Sequence, residues 1–164
     1  MSDLNKLNVK IQQTEDRITF DLSGAINETF GPFVITLSKQ LPRLIYLHFN
    51  LDGITLINSS GTREWTKLIG NAQHVELTVS HCPKVFIDQV NTVEGFLTRN
   101  CRIISFYVPY FNEESNVEKN MLFEHGKNFN EKEIKINQSI IENNVQYNLD
   151  VIESTYFRFM KKFT

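Results

Sequence analysis

One stretch, residues 44–61, constrains the fold of this chain more than any other. It opens with an apolar run, Leu44 to Leu51, of the length and composition typical of a strand covered on both faces. A turn is predicted at Asp52-Gly53. Asn58-Ser59-Ser60-Gly61 then has the small hydrogen-bonding residues of a helix start. The helix that follows has one apolar face, formed by Trp65, Leu68, Ile69 and Ala72.

The same stretch carries a family resemblance. Ile57-Asn58-Ser59-Ser60-Gly61 resembles the Asp-Ser-Ser-Gly or Asp-Ser-Thr-Gly signature of the STAS domain, named for sulphate transporters and anti-sigma factor antagonists. Leu22-Ser23-Gly24-Ala25-Ile26 is similar to the family's L-x-G-x-L/I pattern, and Leu44 to Leu51 to its central strand. His74 to Ser80 and Pro83 to Val90 resemble its fourth strand and third helix. The resemblance covers residues 8–110.

The order of patterns predicts the architecture. Two strands, Asn8 to Gln13 and Arg17 to Ser23, form a hairpin that Gly24 ends by turning the chain. Strands and helices then alternate, which predicts an α/β fold with a mixed sheet and helices packed on it. The resemblance implies that the sheet is STAS-like and largely covered on one face. The first helix is expected between Ile26 and Leu41, capped by Thr29 and ended by Pro42. Arg102 to Tyr110 is predicted as the last strand of this unit.

Beyond residue 110 the pattern changes, so we expect a STAS-like domain at 1–110 and an appendage at 111–164. A strand is predicted from Val117 to His125, then a polar linker at 126–132. A short hairpin is predicted from 134–138 and 144–149. Asp150 and Glu153 fit a capping box for a final helix. Its apolar face is formed by Ile152, Tyr156, Phe159 and Phe163.

The appendage resembles the zinc-ribbon-like extension of some bacterial STAS proteins. The places that match its cysteine pairs are Asn112 and Ser115, then Asn137 and Ile140. A structural zinc needs four thiolate or imidazole ligands, and these side chains cannot supply them. We therefore expect a ribbon that has lost its metal and is held by aromatic packing, with no metal site and no cofactor.

Composition excludes several classes of function. The 164 residues, 41% hydrophobic, suffice for one cored domain with a modest appendage. A net charge of -2 gives no electrostatic footprint for nucleic acid or an anionic membrane. No apolar stretch approaches the ~20 residues of a membrane span, and the first residues lack a hydrophobic signal core. We expect a cytoplasmic protein with two free thiols, Cys82 and Cys101.

Ser59 is the candidate phosphoacceptor, because by the resemblance it matches the position at which anti-sigma factor antagonists are phosphorylated. A hydroxyl at a helix N-terminus suits this chemistry, since the helix dipole favours the added charge. The alternative is that Ser59 and Ser60 only cap the helix. Asn58 departs from the family's usual Asp and lacks its charge. His48 is expected to be a satisfied core residue, and Cys82 a small buried one or a helix-start thiol with some reactivity.

The resemblance implies a non-enzymatic regulatory module of the STAS type that binds a protein. By resemblance the partner is a serine kinase or anti-sigma factor, or another STAS protein. The predicted contact residues are Asp52, Asn58, Ser59, Ser60, Thr62, Arg63, Thr66 and Lys67. The alternative is a module that senses a small molecule or nucleotide, or that self-assembles as a homodimer. That alternative predicts an apolar pocket under residues 107–111 and 156–163. The sequence contains no recognisable catalytic constellation.

The missing cysteines lead to a first test. Incubation with a strong chelator is expected to leave the melting temperature unchanged, because no side chain at the matching positions can hold zinc. Calorimetry with and without chelator, together with metal analysis of the purified protein, measures this. A lower melting temperature accompanied by stoichiometric zinc release contradicts the metal-free ribbon.

Overall fold

The computed structural model describes residues 6–162, except for the side chain of Lys162. Its strands and α-helices follow in the order β1 (Asn8–Gln13), β2 (Arg17–Ile26), α1 (Gly31–Ser38), β3 (Tyr46–Ile57), α2 (Ser59–Asn71), β4 (Glu76–Ser80), α3 (Lys84–Thr92), β5 (Cys101–Ile103), β6 (Ser105–Asn112), β7 (Val117–Glu124), β8 (Ser139–Glu142), β9 (Val145–Leu149) and α4 (Glu153–Tyr156). Short 3₁₀ segments lie at Glu28–Phe30, Leu41–Arg43 and Phe157–Lys162. Within the described residues no helix is long and apolar enough to cross a membrane.

The first sheet has five strands in the order β1-β2-β3-β4-β5. β1 is antiparallel to β2, as the predicted hairpin requires, and the remaining neighbours are parallel. The helices α1, α2 and α3 each connect two consecutive parallel strands of this sheet. This arrangement confirms the predicted α/β class with a mixed sheet and helices packed on it.

The helices cover one face of this sheet. Phe20 and Phe49 are register partners on β2 and β3, and they contact Phe33 of α1 and Trp65 of α2. The expectation that β3 is covered on both faces was wrong. Its residues alternate between buried and half-buried, because Tyr46, His48 and Asn50 lie between the apolar residues and face the other side.

β2 and β3 are both longer than predicted. Asp52-Gly53 is not a turn, because β3 continues to Ile57 and pairs with the end of β2. Gly24 does not end β2 either. It lies within the strand at a φ of +89°, next to a register shift in the pairing with β3. A side chain there would lie 2.1 Å from the Lys6 carbonyl oxygen, so glycine is needed for the close approach of the chain.

The first helical region is shorter than predicted. Asn27, not Thr29, caps its start, because the Asn27 side chain accepts hydrogen bonds from the Thr29 backbone and hydroxyl at 2.9 and 2.7 Å. α1 ends at Ser38, and Pro42 lies inside the following 3₁₀ segment rather than at the helix end. Pro32 occupies the first turn of α1, as its missing N–H predicts.

A second sheet is antiparallel, in the order β7-β6-β9-β8. The strand predicted from Arg102 to Tyr110 is split at Ile104 into β5, which belongs to the first sheet, and β6, which belongs to the second. β6 still begins beside the first sheet, since the Cys82 N–H donates to the Ser105 carbonyl at 3.1 Å and Cys82 accepts from Tyr107 at 2.9 Å. The predicted domain boundary after residue 110 therefore lies inside β6, and the division itself stays a prediction.

Three details of the appendage at 111–164, called the tail from here on, also differ from the sequence prediction. The first strand of its hairpin is Ser139–Glu142 rather than residues 134–138. The capping box does not form, because Ile152 is the N-cap residue and the Glu153 carboxylate accepts from the Gln138 amide instead. The final helix is a single turn that continues as 3₁₀. Phe163 lies outside the described residues.

Aromatic packing attaches the tail to the rest of the chain. Phe106 on β6 is fully buried, and its ring lies 5.1 Å from those of both Phe129 and Phe159. Phe129 comes from the segment predicted to be a polar linker. Asn91 of α3 donates to the Tyr156 carbonyl at 2.7 Å. The tail is thus packed against α3 and β6 by buried rings and by a buried hydrogen bond.

Phe159 tests this attachment. Phe159→Ala is expected to lower the free energy of unfolding by about 3–5 kcal/mol, because it empties a buried aromatic site. Ile152→Ala is the matched control, since Ile152 begins the same helical segment but is 73% exposed, whereas Phe159 is 2% exposed. Denaturant unfolding of both variants measures the difference. Equal midpoints for Phe159→Ala and the wild type contradict the packing.

Candidate functional site

Asn58 joins three elements at the start of α2. Its side-chain oxygen accepts from the Gly61 N–H at 2.9 Å, which caps the helix. Its backbone N–H donates to the Ile26 carbonyl at the end of β2, at 3.2 Å. Its amide nitrogen donates to the Glu28 carboxylate at 3.1 Å. One residue therefore positions the helix start against both β2 and the segment that follows it.

Glu28 places a negative charge beside this helix start. Hydrogen bonds from its own backbone and from the Asn58 amide hold the pKa of the Glu28 carboxyl below its ordinary value. The carboxylate beside this helix start comes from Glu28, which is distant from Asn58 in the chain. An aspartate at position 58 could not donate a hydrogen bond to Glu28. The asparagine is therefore the residue that suits this neighbour.

The two serines do not cap the helix, contrary to the alternative drawn from the sequence. Asn58 supplies the cap, and the Ser59 hydroxyl makes no hydrogen bond with any described residue. Ser59 is exposed and Ser60 is half-buried. The Ser59 hydroxyl is thus accessible at the positive end of the α2 dipole.

The outward side of α2 is charged and polar. The Arg63 and Lys67 side chains are 77% and 58% exposed and lie 3.8 and 4.0 Å from the Glu64 carboxylate. Thr62 is less available, because its hydroxyl donates to the Gln89 side chain of α3 at 3.0 Å. The Thr66 hydroxyl donates to the Thr62 carbonyl at 2.9 Å. Of these predicted contact residues, Arg63 and Lys67 present the most free surface.

Asp52 lies apart from the other predicted contact residues. The stretch 52–57 was expected to be a loop, but it is part of β3. At about 3.3 Å per residue, Asp52 is roughly 20 Å along the strand from Asn58. Its carboxylate accepts a hydrogen bond from the Tyr107 hydroxyl of β6. The structure therefore groups Asn58, Ser59, Ser60, Arg63 and Lys67 and places Asp52 at the contact between the two sheets.

The other candidate residues have structural surroundings. His48 hydrogen-bonds Thr78 at 2.7 Å and Ser80 at 3.0 Å, and burial lowers its pKa. Burial raises the pKa of the Cys82 thiol, as for Cys101, so Cys82 is a small buried residue rather than a reactive thiol. Across residues 6–162, no group of three or more His, Cys, Asp or Glu side chains could hold a metal ion.

Sequence reasoning missed the roles of Glu28 and Gly61. Glu28 is 30 positions from Asn58 in the chain, and no local pattern connects the two. Gly61 was predicted only as one of the helix-start residues. The structure requires glycine there because the helix backbone approaches the Ile26 carbonyl closely. A Cβ at Gly61 would lie 2.0 Å from the Ile26 carbonyl oxygen. Only a glycine lets the first turn of α2 pack against the end of β2.

Gly61→Ala is expected to destabilise the protein by about 1–3 kcal/mol or more, because backbone must move to admit the methyl group. Gly70→Ala is the matched control in the same helix. A Cβ at Gly70 meets nothing within 4 Å, so this change is expected to stabilise by up to about 1 kcal/mol through helix propensity. Thermal and denaturant unfolding measure both. Equal effects of the two substitutions contradict the close approach at Ile26.

No protein-family model matches this chain, and no curated protein sequence matches it. Among solved structures, the chain is similar to the anti-sigma factor antagonist SpoIIAA in its unphosphorylated form, with a TM-score of 0.37 and 11% sequence identity. The match covers 44% of this chain and 70% of that one. A TM-score this low does not establish a shared fold or function.

Proposed function

We propose that this chain is a non-enzymatic regulatory module of the STAS type that binds another protein through the start and outward side of α2. The observation that carries this proposal is the Ser59 hydroxyl. It is exposed, has no hydrogen-bond partner among the described residues and lies at the N-terminus of a well-capped helix. The capping role that would give a serine here a structural purpose belongs to Asn58.

The charge on α2 indicates the kind of surface that the partner presents. Arg63 and Lys67 are exposed on the same side of the helix, one turn apart, and Glu64 only partly offsets them. Exposed cations increase the association rate with an acidic surface. By the family resemblance the partner is a serine kinase or anti-sigma factor, or a second STAS protein. Recognition is expected to place its acidic side chains against Arg63 and Lys67.

Phosphorylation of Ser59 is the regulatory step that we propose. A phosphate there would sit at the positive end of the helix dipole, with Arg63 one turn further along. The Glu28 carboxylate beside Asn58 would oppose it. Because these effects offset one another within the protein, the added charge is expected to change the stability of the fold little. Its main effect is expected on the affinity for the partner. A partner surface that is complementary to a neutral hydroxyl would then have to bury an unpaired charge, which weakens binding.

We further propose that the tail is a metal-free counterpart of the ribbon-like extension. Hydrogen bonds are made at three of the four places where the resemblance puts cysteines, namely Asn112, Ser115 and Asn137. Asn112 accepts from the Ser115 backbone and hydroxyl at 2.6 and 2.7 Å and closes that turn. Tyr110 donates to the Asn137 carbonyl at 2.8 Å. These contacts can hold the turns that zinc holds in a ribbon.

Substitutions at Ser59 test the proposed switch. Ser59→Asp is expected to keep or raise the melting temperature, since a carboxylate at a helix N-terminus is favoured by about 0.3–1 kcal/mol. Its affinity for the partner is expected to fall by about tenfold or more. Ser59→Ala is expected to keep both stability and affinity, because Ser59 makes no cap. Partner capture from the source cell, quantified against wild type, and the melting temperature of each variant are the measurements.

Charge reversals locate the surface independently of phosphorylation. Arg63→Glu is expected to weaken capture of the same partner, and Lys10→Glu on the exposed strand β1 is the control that leaves it unchanged. Equal capture by wild type, Ser59→Asp and Arg63→Glu contradicts the proposed binding surface. Loss of capture with Lys10→Glu alone would place the binding surface elsewhere.

A further inference from the structure

A small cavity lies where the edge of the first sheet meets the tail. Its volume is about 230 Å³. Four of its lining residues are at most 8% exposed and form an apolar floor, namely Cys101, Ile103, Phe129 and Phe159. Met160 also lines it. The sequence alternative placed a pocket among tail aromatics, and Phe159 does contribute to this one, whereas no residue of 107–111 does.

Cationic side chains stand around the mouth of this cavity. Arg99 and Arg102 both line it, against a single carboxylate, that of Glu131. Glu131 is paired with His125 at 2.9 Å, and Arg102 with Glu76 at 2.5 Å. Arg99 forms no ion pair or hydrogen bond with any described residue. Of the two lining arginines, Arg99 therefore has no carboxylate partner among the described residues, and a guanidinium binds carboxylates in a two-pronged geometry.

We infer that this cavity binds a small carboxylate with an unbranched apolar chain, whose head group pairs with Arg99 and whose chain lies against Phe129, Phe159 and Ile103. At about 30 Å³ for each water-sized group, the cavity has room for about eight such groups. An eight-carbon carboxylate fits with its chain inside and its head at the mouth. This inference goes beyond the proposed function, because the cavity shares no residue with the α2 surface.

Other ligand classes fit less well. A nucleotide exceeds this volume and needs several donors for its phosphates, whereas the floor is apolar. A metal ion has no cluster of ligands among the described residues. A neutral hydrocarbon would leave the Arg99 charge unused. Apolar burial combined with one charged head group is the chemistry that matches both parts of the lining.

The cavity walls come from both parts of the chain. Arg99 and residues 101–103 belong to the end of the first unit, and residues 125–131 and 159–160 to the tail. A ligand that contacts both sets of walls binds only when the tail is docked. By mass action it must then stabilise the docked state. Ligand binding is therefore expected to raise the melting temperature, by an amount that grows with the logarithm of the free ligand concentration above the Kd.

Methionine methyl NMR provides a direct probe. The chain has three methionines, and of the two within residues 6–162, Met121 and Met160, only Met160 lines the cavity. Titration of ¹³C-methyl-methionine protein with octanoate is expected to shift the Met160 signal with a Kd below about 1 mM. The Met121 signal is the internal control and is expected to stay in place. Butyrate, which has the head without the chain, and 1-octanol, which has the chain without the head, are both expected to bind at least about tenfold more weakly.

Arg99→Gln separates charge pairing from nonspecific apolar binding. This variant is expected to lose about tenfold or more in octanoate affinity while its affinity for 1-octanol is unchanged. Arg99 is exposed, so the fold is retained, and Arg43→Gln, at another exposed arginine that does not line the cavity, is the matched control. An unshifted Met160 signal at saturating octanoate overturns the inference. Equal octanoate affinity in wild type and Arg99→Gln, or equal affinity of wild type for octanoate and 1-octanol, also overturns it.

Discussion

The burial of Trp65 is the interaction on which the rest of the first unit depends. Its ring lies 5.1 Å from Phe49 on the central strand, 5.3 Å from Phe86 of α3 and 5.8 Å from Phe96 in the loop after α3. The indole N–H donates to the Phe96 carbonyl at 2.9 Å, so its single polar group is satisfied. One side chain thus joins α2 to the sheet, to α3 and to the following loop. Because the face of α2 with Trp65 packs against the sheet, the opposite side with Arg63 and Lys67 faces outward.

Trp65 determines which way α2 faces, and the Asn58–Gly61 turn determines where the helix begins. Gly61 packs directly against the Ile26 carbonyl, and the Asn58 N–H donates to the same carbonyl oxygen. The helix start therefore cannot slide along its axis without losing a hydrogen bond or creating a clash. Ser59 is held between these two contacts, and its exposure is a consequence of them. The position of the Ser59 hydroxyl is therefore set by the backbone contacts of its neighbours and not by contacts of its own side chain.

The packing of the second sheet depends on Phe106 in the way that the packing of the first sheet depends on Trp65. The Phe106 ring contacts aromatic side chains from β7, from the segment after it and from the C-terminal segment. β6 also pairs with Cys82 at the end of the first sheet. The two sheets are therefore connected through one strand and one buried ring. The apolar cavity lies at their seam, where β5 ends after three residues and the rings around Phe106 do not fill the remaining space.

The sequence by itself determined the α/β class, the opening hairpin, the start of α2 and its apolar face. These features depend on local periodicity and capping chemistry, which neighbouring residues carry. The tertiary structure alone decided that β3 runs through Asp52-Gly53, because the pairing partner that extends it is β2. It also decided that Asn58 meets Glu28, that Gly61 meets Ile26, and that the strand near Ile104 changes sheets. Each of these involves a contact between distant positions, and local residue patterns contain no information about which distant backbone atom will occupy the available space.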